Sequence, residues 1–320
     1  MESRVLTLFT LVIVASGCMH SSPPLSGMTP EEKYSELVSR SRNATYHVEY
    51  NVTFETGGSN MMSGVLNSAD VHLYSYRGDL KSRVTISVLG SAVVTSDYPI
   101  KGGNASIQCQ KITSLTSGSG LKCSVKYSQT SQLMATGPSS SYRDQLEKIN
   151  VSAGHIKTIA GRECMQFDVT IPEEVINVSA VEGPSHAGMC VDMEKGYMAR
   201  MAVNMTMRSG LGRTTDIRLA FEATDYSPEV SESRVKIPRD LVVGLRCKDG
   251  LKVDIYSADY SGPLNITVND GAESSTIESG ELRTFNYTEH MVDGTNSVNV
   301  TAGGRTYSGR CKNLEAGLDL

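Results

Sequence analysis

Stretches in which apolar and polar residues alternate are the dominant pattern along this chain. Residues 46–54, YHVEYNVTF, are apolar at every second position, and residues 82–89, 161–171 and 217–221 repeat this alternation. Because successive side chains of a β-strand point to opposite faces of a sheet, each stretch predicts a strand with one apolar face and one polar face. Shorter strands are predicted at 62–66, 70–76, 188–192 and 201–207.

Two helices are predicted among these strands. Thr29 precedes Pro30 and Glu32, the order of a capping box with a proline in the first turn, so a helix is expected from here to about Ser41. The helical spacing of apolar residues predicts a second helix at 139–151. Since every strand is apolar on one face only, we expect a mainly β (α+β) fold, in which two short helices cover the concave side of a curved antiparallel half-barrel.

Beyond Pro238 the predicted strands are shorter and more closely spaced. About seven short strands are predicted from Leu241 to Cys311, one of them at 275–279, separated by Asp-Gly, Asn-Asp-Gly and Gly-Gly turns. This pattern resembles a small immunoglobulin-like β-sandwich. The expected division is a half-barrel domain at 29–238, a β-sandwich at 239–312 and a loose tail at 313–320.

The N-terminal segment MESRVLTLFTLVIVASGC predicts export from the cytoplasm. Its apolar run at 5–15 is shorter than the roughly 20 residues of a membrane span and suits a secretory signal. The Ala-Ser-Gly-Cys ending resembles a lipobox, after which a prokaryotic lipoprotein is cleaved and lipidated on its new N-terminal cysteine. We therefore expect a signal peptide at 1–17, a lipid anchor on Cys18 and a tether at 18–28. An ordinary signal peptide with an incidental cysteine is the alternative.

Cysteine usage agrees with an oxidising compartment. The chain has 7 cysteines, and assigning Cys18 to lipid leaves an even number that can pair. Many connectivities are possible, and nearest-neighbour pairing is the simplest: Cys109 with Cys123, Cys164 with Cys190, and Cys247 with Cys311. Because there is no Cys-x-x-Cys motif and the histidines are scattered along the chain, neither a metal site nor a cofactor is expected.

Asparagine usage also indicates export. Asn-x-Ser/Thr sequons are frequent and predict N-glycosylation at Asn43, Asn51, Asn104, Asn150, Asn177, Asn204, Asn265, Asn286 and Asn299. A lipobox together with many sequons favours an archaeal cell-surface lipoprotein, held at the outer face of the cytoplasmic membrane. The net charge of −5, with no basic patch, gives no indication of nucleic-acid binding.

A family resemblance covers residues 29–238. It rests on the leading segment TPEEKYSELVSRSRNATYHVEYNVTFE and on GRECMQFDVTI followed by CVDMEKGYMARMAV, a Gly-Arg strand, an Asp-x-x-x-Gly turn and a returning strand. The closing segments FEATDYSPEV and VKIPRD fit as well. These segments resemble the LolA/LolB-like lipoprotein-carrier fold. The resemblance implies an incomplete β-barrel, closed by short helices over a hydrophobic cavity.

No catalytic motif supports an enzyme, because the chain has no Gly-x-Ser-x-Gly, HExxH or P-loop sequence. Asp192, Glu194 and Asp216 are expected to be solvated at strand ends. The remaining candidate is the concave apolar face, with methionines suited to an irregular apolar ligand. Its predicted members are Val48, Tyr50, Phe54, Val84, Ile86, Met165, Phe167, Met201, Met205, Met207, Leu219 and Phe221.

Two functions follow from this face. If a cavity opens between the sheet and the helices, the protein is a membrane-anchored, non-enzymatic binder of a lipid or another hydrophobic ligand. If the face is simply packed under the helices, the protein is a structural or adhesive surface glycoprotein with envelope proteins as partners.

Overall fold

A computed structural model of the protein describes residues 25–56, 69–88, 91–100, 105–113, 120–127, 150–171, 183–208, 214–247 and 250–312. Several predictions lie outside these residues: the signal peptide, Cys18 with most of the tether, the strand at 62–66, residues 139–149 of the second helix, Asn104, Asn177 and the tail. They stay predictions.

The described part of 46–227 forms one antiparallel sheet of 11 strands. Its strands are β1 (Tyr46–Thr56), β2 (Asp70–Tyr76), β3 (Asp79–Val88), β4 (Ser91–Pro99), β5 (Ala105–Thr113), β6 (Lys122–Tyr127), β7 (Asn150–Ile159), β8 (Arg162–Ile171), β9 (Ser185–Asp192), β10 (Met198–Arg208) and β11 (Thr214–Ser227). The order across the sheet is β6-β5-β4-β3-β2-β1-β11-β10-β9-β8-β7. Two runs of consecutive strands are therefore joined where β1 pairs with β11.

Helix α1 (Pro30–Arg40) begins and ends as the sequence predicts. Thr29 Oγ1 accepts from the Glu32 backbone, and the Glu32 carboxylate accepts from the Thr29 backbone at 2.8 Å, so the capping box is complete. The apolar side of the helix buries Leu37 and Val38 against β7, β8 and β9. Leu25 also packs against this cluster, so the end of the tether lies on the folded domain.

The prediction of a second helix at 139–151 is wrong for its last two residues. Asn150 and Val151 begin strand β7, whose pairing with β8 gives their backbone groups sheet partners. Strand β4, which the sequence did not predict, pairs with β3 on one side and β5 on the other. A four-residue helix, α2 (Glu232–Val235), was also missed, and its buried Val235 lies where the chain passes β2 and β3.

The described residues of 241–312 form two further antiparallel sheets. Their strands are β12 (Leu241–Arg246), β13 (Lys252–Ser257), β14 (Gly262–Val268), β15 (Gly271–Ile277), β16 (Leu282–Asn286), β17 (Thr295–Ala302) and β18 (Arg305–Lys312). The sheets have the orders β12-β13-β16 and β15-β14-β17-β18 and share one hydrophobic core. The strand predicted at 275–279 begins earlier, because Asn269-Asp270 is a two-residue turn that brings Gly271 opposite Val268.

The small sheets pack against the end of the large sheet. Val242 of β12 is buried with Tyr98, Ile107 and Val125 of β4, β5 and β6. Beside this contact, the Tyr127 hydroxyl donates to Asp254 Oδ1 at 2.9 Å. The apolar contact and the hydrogen bond together fix the two parts to each other at strand β6.

All three nearest-neighbour disulfides are present. Cys109 and Cys123 lie directly opposite each other on β5 and β6, and Cys164 and Cys190 link β8 to β9. Cys247 and Cys311 join the ends of β12 and β18 and so connect the two small sheets.

Candidate functional site

The register of five adjacent strands places large apolar side chains side by side. Residues directly opposite each other in an antiparallel pair share a face of the sheet. One row across β8, β9, β10, β11 and β1 consists of Phe167, Met189, Met201, Phe221 and Val52. The neighbouring row consists of Val169, Ala187, Val203, Leu219 and Phe54. We call the surface formed by these ten residues the apolar face.

Helix α1 covers the β8 and β9 side of the apolar face. The Tyr34 ring meets the Phe167 ring edge-on, with 5.3 Å between centroids, and the Tyr34 hydroxyl lies 3.9 Å from Met189 Sδ. Phe167 has no solvent exposure. This part of the face is therefore closely packed.

The predicted concave residues differ in their exposure. Val48 and Phe167 are fully buried. The other members with a described side chain are only partly buried: Tyr50, Phe54, Val84, Ile86, Met165, Met201, Met205, Leu219 and Phe221. The side chain of Met207 lies outside the description. Away from helix α1, the face thus keeps part of its apolar surface accessible.

A pocket of about 510 Å³ lies at the edge of the sheet where β1 and β10 end and β9 and β11 begin. Its volume is in the usual range of ligand pockets, about 300 to 1,000 Å³. Its lining mixes the apolar side chains of Met205, Ile217 and Pro184 with polar and charged groups, namely Glu55, Thr56, His186, Asn204, Thr206, Asp216 and Arg218. Met205 is the one predicted concave residue in this lining, so the pocket adjoins the apolar face and does not coincide with it.

Asp192 is buried, which corrects the expectation that it is solvated. Its side chain has no exposure and forms a two-point ion pair with Arg162, at 2.8 and 3.2 Å. The backbone N–H groups of Glu194 and Lys195 donate to Asp192 Oδ1 as well. The hydrogen bond to Asp192 raises the pKa of the Arg162 guanidinium, so the guanidinium stays charged.

The Asp-x-x-x-Gly turn also positions helix α1. Gly196 has a φ of +72°, and a Cβ there would lie 2.0 Å from the Leu37 carbonyl oxygen. The Arg40 guanidinium donates to the Met193 carbonyl of the same turn. Arg162, Asp192 and Gly196 thus act together to hold the helix on the apolar face, which is a structural role.

Burial shifts the ionisation of the tyrosines near this region further above neutral pH. The Tyr50 hydroxyl donates to the Met198 carbonyl oxygen at 2.8 Å. Burial raises the pKa of Tyr46, Tyr50 and Tyr197. No charge therefore develops on these three side chains at neutral pH.

The described sequon asparagines are accessible. Those whose side chains the structure describes are all exposed: Asn43, Asn51, Asn204, Asn265, Asn286 and Asn299. Asn296, which is not in a sequon, is fully buried and bonded to Asn269 and Val292. The described sequons thus meet the steric requirement for glycosylation.

The structure brings together a group that the sequence analysis missed, His47, Glu49 and His72. Burial is the main cause that lowers the pKa of His47, and the neighbouring His72 lowers it further. The sequence predicts that His47 and Glu49 lie on one face, because they alternate along β1. The sequence does not predict the register of β2 against β1, which places His72 opposite Glu49.

None of the helices in the described ranges has the length and apolar character needed to cross a bilayer.

The chain is similar to known proteins only at low sequence identity, and the matches are to solved structures. No protein-family model matches the sequence, and no curated protein matches it. Among solved structures, the lipoprotein LppX of Mycobacterium tuberculosis is 14% identical, with a TM-score of 0.32 over 62% of this chain and 97% of LppX. MucB is 9% identical, with a TM-score of 0.34 over 75% of this chain and 80% of MucB. The structure of the Pseudomonas aeruginosa MucA/MucB complex gives the same identity and TM-score, over 87% of this chain and 91% of the matched chain. Similarity at this level carries no argument about function, and the resemblance to LolA/LolB-like carriers stays a prediction.

Proposed function

We propose that this chain is an extracytoplasmic lipoprotein, anchored through Cys18, that binds a lipid or another hydrophobic ligand on its apolar face and has no enzymatic activity. The observation that carries the proposal is the continuity of the two apolar rows across five strands. At a strand spacing of about 4.8 Å, these rows extend over about 19 Å.

The composition of the apolar face suits a ligand without fixed shape. Met189 and Met201 lie next to each other in one row, and Met205 continues the same side of β10. Methionine side chains are flexible and polarisable and adapt to irregular apolar surfaces. Because Met205, Leu219 and Phe221 are partly buried, a ligand that covered them would remove apolar surface from water.

The compartment is supported by features separate from the apolar face, and the anchor rests on the lipobox-like sequence that ends at Cys18. Three disulfides are consistent with an oxidising environment outside the cytoplasm. The exposed sequon asparagines are consistent with export as well. Mass spectrometry of the mature N-terminus tests the anchor directly, since a chain that retains residue 1 or carries an unmodified Cys18 would contradict it.

Ligand binding is tested on the purified mature protein. Solvent extraction followed by mass spectrometry is expected to recover a lipid, and an environment-sensitive apolar fluorophore is expected to bind in competition with it. Leu219→Gln places a polar group on the apolar face and should weaken fluorophore binding. Ala220→Gln, one residue further on the opposite side of β11, is the matched control. Absence of both lipid and fluorophore binding would contradict the proposal.

A structural or adhesive surface glycoprotein is the second candidate. The packing of Tyr34 and Leu37 over Phe167 favours it, because this part of the face is already filled by the protein itself. Crosslinking on intact cells should then recover an envelope protein, and solvent extraction should recover no lipid.

A further inference from the structure

A cluster of two histidines and one carboxylate lies on β1 and β2. His47 Nε2 and His72 Nδ1 are 3.0 Å apart. Glu49 Oε1 lies 3.6 Å from His72 Nδ1 and 4.0 Å from His47 Nε2. Three potential ligand atoms thus converge on one point.

Local strand geometry produces this convergence. His47 and Glu49 are two residues apart on β1 and therefore project from the same face, and His72 lies directly opposite Glu49 on β2. The His47 ring stacks on the Tyr74 ring, with centroids 4.4 Å apart and planes 3° from parallel. The side chains of His47 and His72 are only 19% and 13% exposed, so both rings are held by their surroundings.

Asp70 orients the second imidazole. Its Oδ1 lies 2.9 Å from His72 Nε2, on the side of the ring away from His47. In the tautomer that carries its proton on Nε2, His72 donates a hydrogen bond to Asp70 Oδ1, and Nδ1 presents its lone pair to the cluster. A carboxylate behind a histidine is the usual arrangement that fixes the tautomer of a metal ligand.

The distances suit a tetrahedral ion. Zinc binds imidazole nitrogen and carboxylate oxygen at about 2.0 to 2.2 Å, which places neighbouring ligand atoms about 3.3 to 3.6 Å apart. Of the three separations in the cluster, 3.0 Å lies below this range, 3.6 Å lies at its upper end and 4.0 Å lies above it. Small side-chain rotations that move the ligand atoms by a few tenths of an ångström would bring the three separations to similar values.

Charged groups of both signs surround the cluster. Asp225 lies opposite Glu49 on the other side of β1, and its charge acts on His47. Arg234 of α2 acts on His47 with the opposite sign. Arg83 of β3 lies directly opposite His72, and Lys81 lies over the Tyr74 ring that stacks on His47, so basic groups balance the carboxylates around the cluster.

We propose that His47 Nε2, His72 Nδ1 and Glu49 Oε1 bind one divalent transition-metal ion of the zinc class, with Asp70 as the positioning residue behind His72. Imidazole with carboxylate suits zinc better than magnesium or calcium, which prefer oxygen ligands alone. Three protein ligands leave the fourth tetrahedral position to a water molecule. The ion would connect β1 to β2 through side chains.

Zinc titration of the mature protein tests the site. The protein is prepared without a histidine tag, stripped with a chelator and titrated with Zn²⁺ in a calorimeter, and Co²⁺ binding is followed by its visible spectrum. One equivalent is expected to bind, and His47→Ala or His72→Ala should weaken binding by about 100-fold or more, since each removes a ligand. Asp70→Asn should weaken it by about 10- to 100-fold, the usual cost of losing an outer-shell partner. His155→Ala, which removes an exposed histidine of β7, should change nothing.

A measurement on the unsubstituted protein covers the case in which the variants fail to fold. Zn²⁺ should shift the ¹⁵N resonances of His47 Nε2 and His72 Nδ1 at one equivalent and leave those of His155 in place. If Zn²⁺ leaves the His47 and His72 resonances unchanged, or if folded His47→Ala keeps the original affinity, the cluster is a hydrogen-bonded histidine pair and the proposal is wrong.

Discussion

Removal of the Asp192 carboxylate should destabilise the protein more than any other single charge deletion in the described sheet. In Asp192→Ala, Arg162 loses its two-point ion pair at 2.8 and 3.2 Å, and the N–H groups of Glu194 and Lys195 lose their acceptor. Arg162 keeps its contact with the Glu194 carboxylate at 2.8 Å and is 20% exposed, so water can reach part of it. The variant therefore leaves Arg162 with only the Glu194 carboxylate as its ion-pair partner and removes the acceptor of two backbone N–H groups at the turn that supports helix α1.

The magnitude follows from these contacts. Breaking a buried ion pair by removing one partner costs about 3 to 5 kcal/mol. Because Arg162 retains Glu194 and some solvent, we expect the lower end, about 3 kcal/mol. At about 2 to 4 °C per kcal/mol for a domain of this size, the melting temperature should fall by about 6 to 12 °C.

Calorimetry and urea unfolding with the disulfides intact measure this loss. Asp168→Ala is the matched control, since Asp168 is exposed on β8 and should change stability by about 0.5 kcal/mol or less. The double variant Asp192→Ala with Arg162→Ala should lose less than the sum of the single variants, because the two residues form one pair. A loss below about 1 kcal/mol in Asp192→Ala would refute the reasoning.

Three further outcomes are expected. Gly196→Ala should lose about 2 to 4 kcal/mol, because its Cβ would meet a helix α1 carbonyl oxygen at 2.0 Å. Gly161→Ala, with the same φ of +72° but open space, should lose only about 1 kcal/mol, and equal losses in urea unfolding would contradict the clash. Burial raises the pKa of tyrosines such as Tyr46, so the stability they contribute is complete below pH about 10 and is lost as the pH rises above it. Circular dichroism and tyrosinate absorbance should therefore change together in an alkaline titration, and ionisation without unfolding would be evidence against this. A Cβ on Gly244 would lie 3.0 Å from Val125 Cβ, so Gly244→Val should push β12 away from β6. Limited proteolysis at 228–240 should then be faster than in the unsubstituted protein, and an unchanged cleavage rate would contradict the importance of this contact.

Side-chain alternation and capping were the reliable parts of the sequence signal. Both depend on neighbouring residues, so the strand at 46–54 and the helix starting after Thr29 could be predicted without knowing the fold. The second helix was wrong at Asn150 and Val151, because the spacing of a few apolar residues does not reveal a sheet partner such as β8.

Register is what the sequence could not provide. The rows through Phe167, Met201 and Phe221 depend on how each strand is aligned with the next, and so does the meeting of His47 with His72. The burial of Asp192 was missed for the same reason, since its partner Arg162 is 30 residues away along the chain.

The position of the small sheets has a consequence for self-association. An open sheet ends in strands whose backbone groups can pair with another molecule, and proteins usually shield or charge such strands. Here β12 lies against β6, which also carries the exposed Lys122 and Lys126, and helix α1 lies against β7 at the opposite end. A neighbouring element thus covers each terminal strand of the large sheet. A chain ending near Pro238 would lack β12, so the backbone groups of β6 could pair with another molecule and cause aggregation.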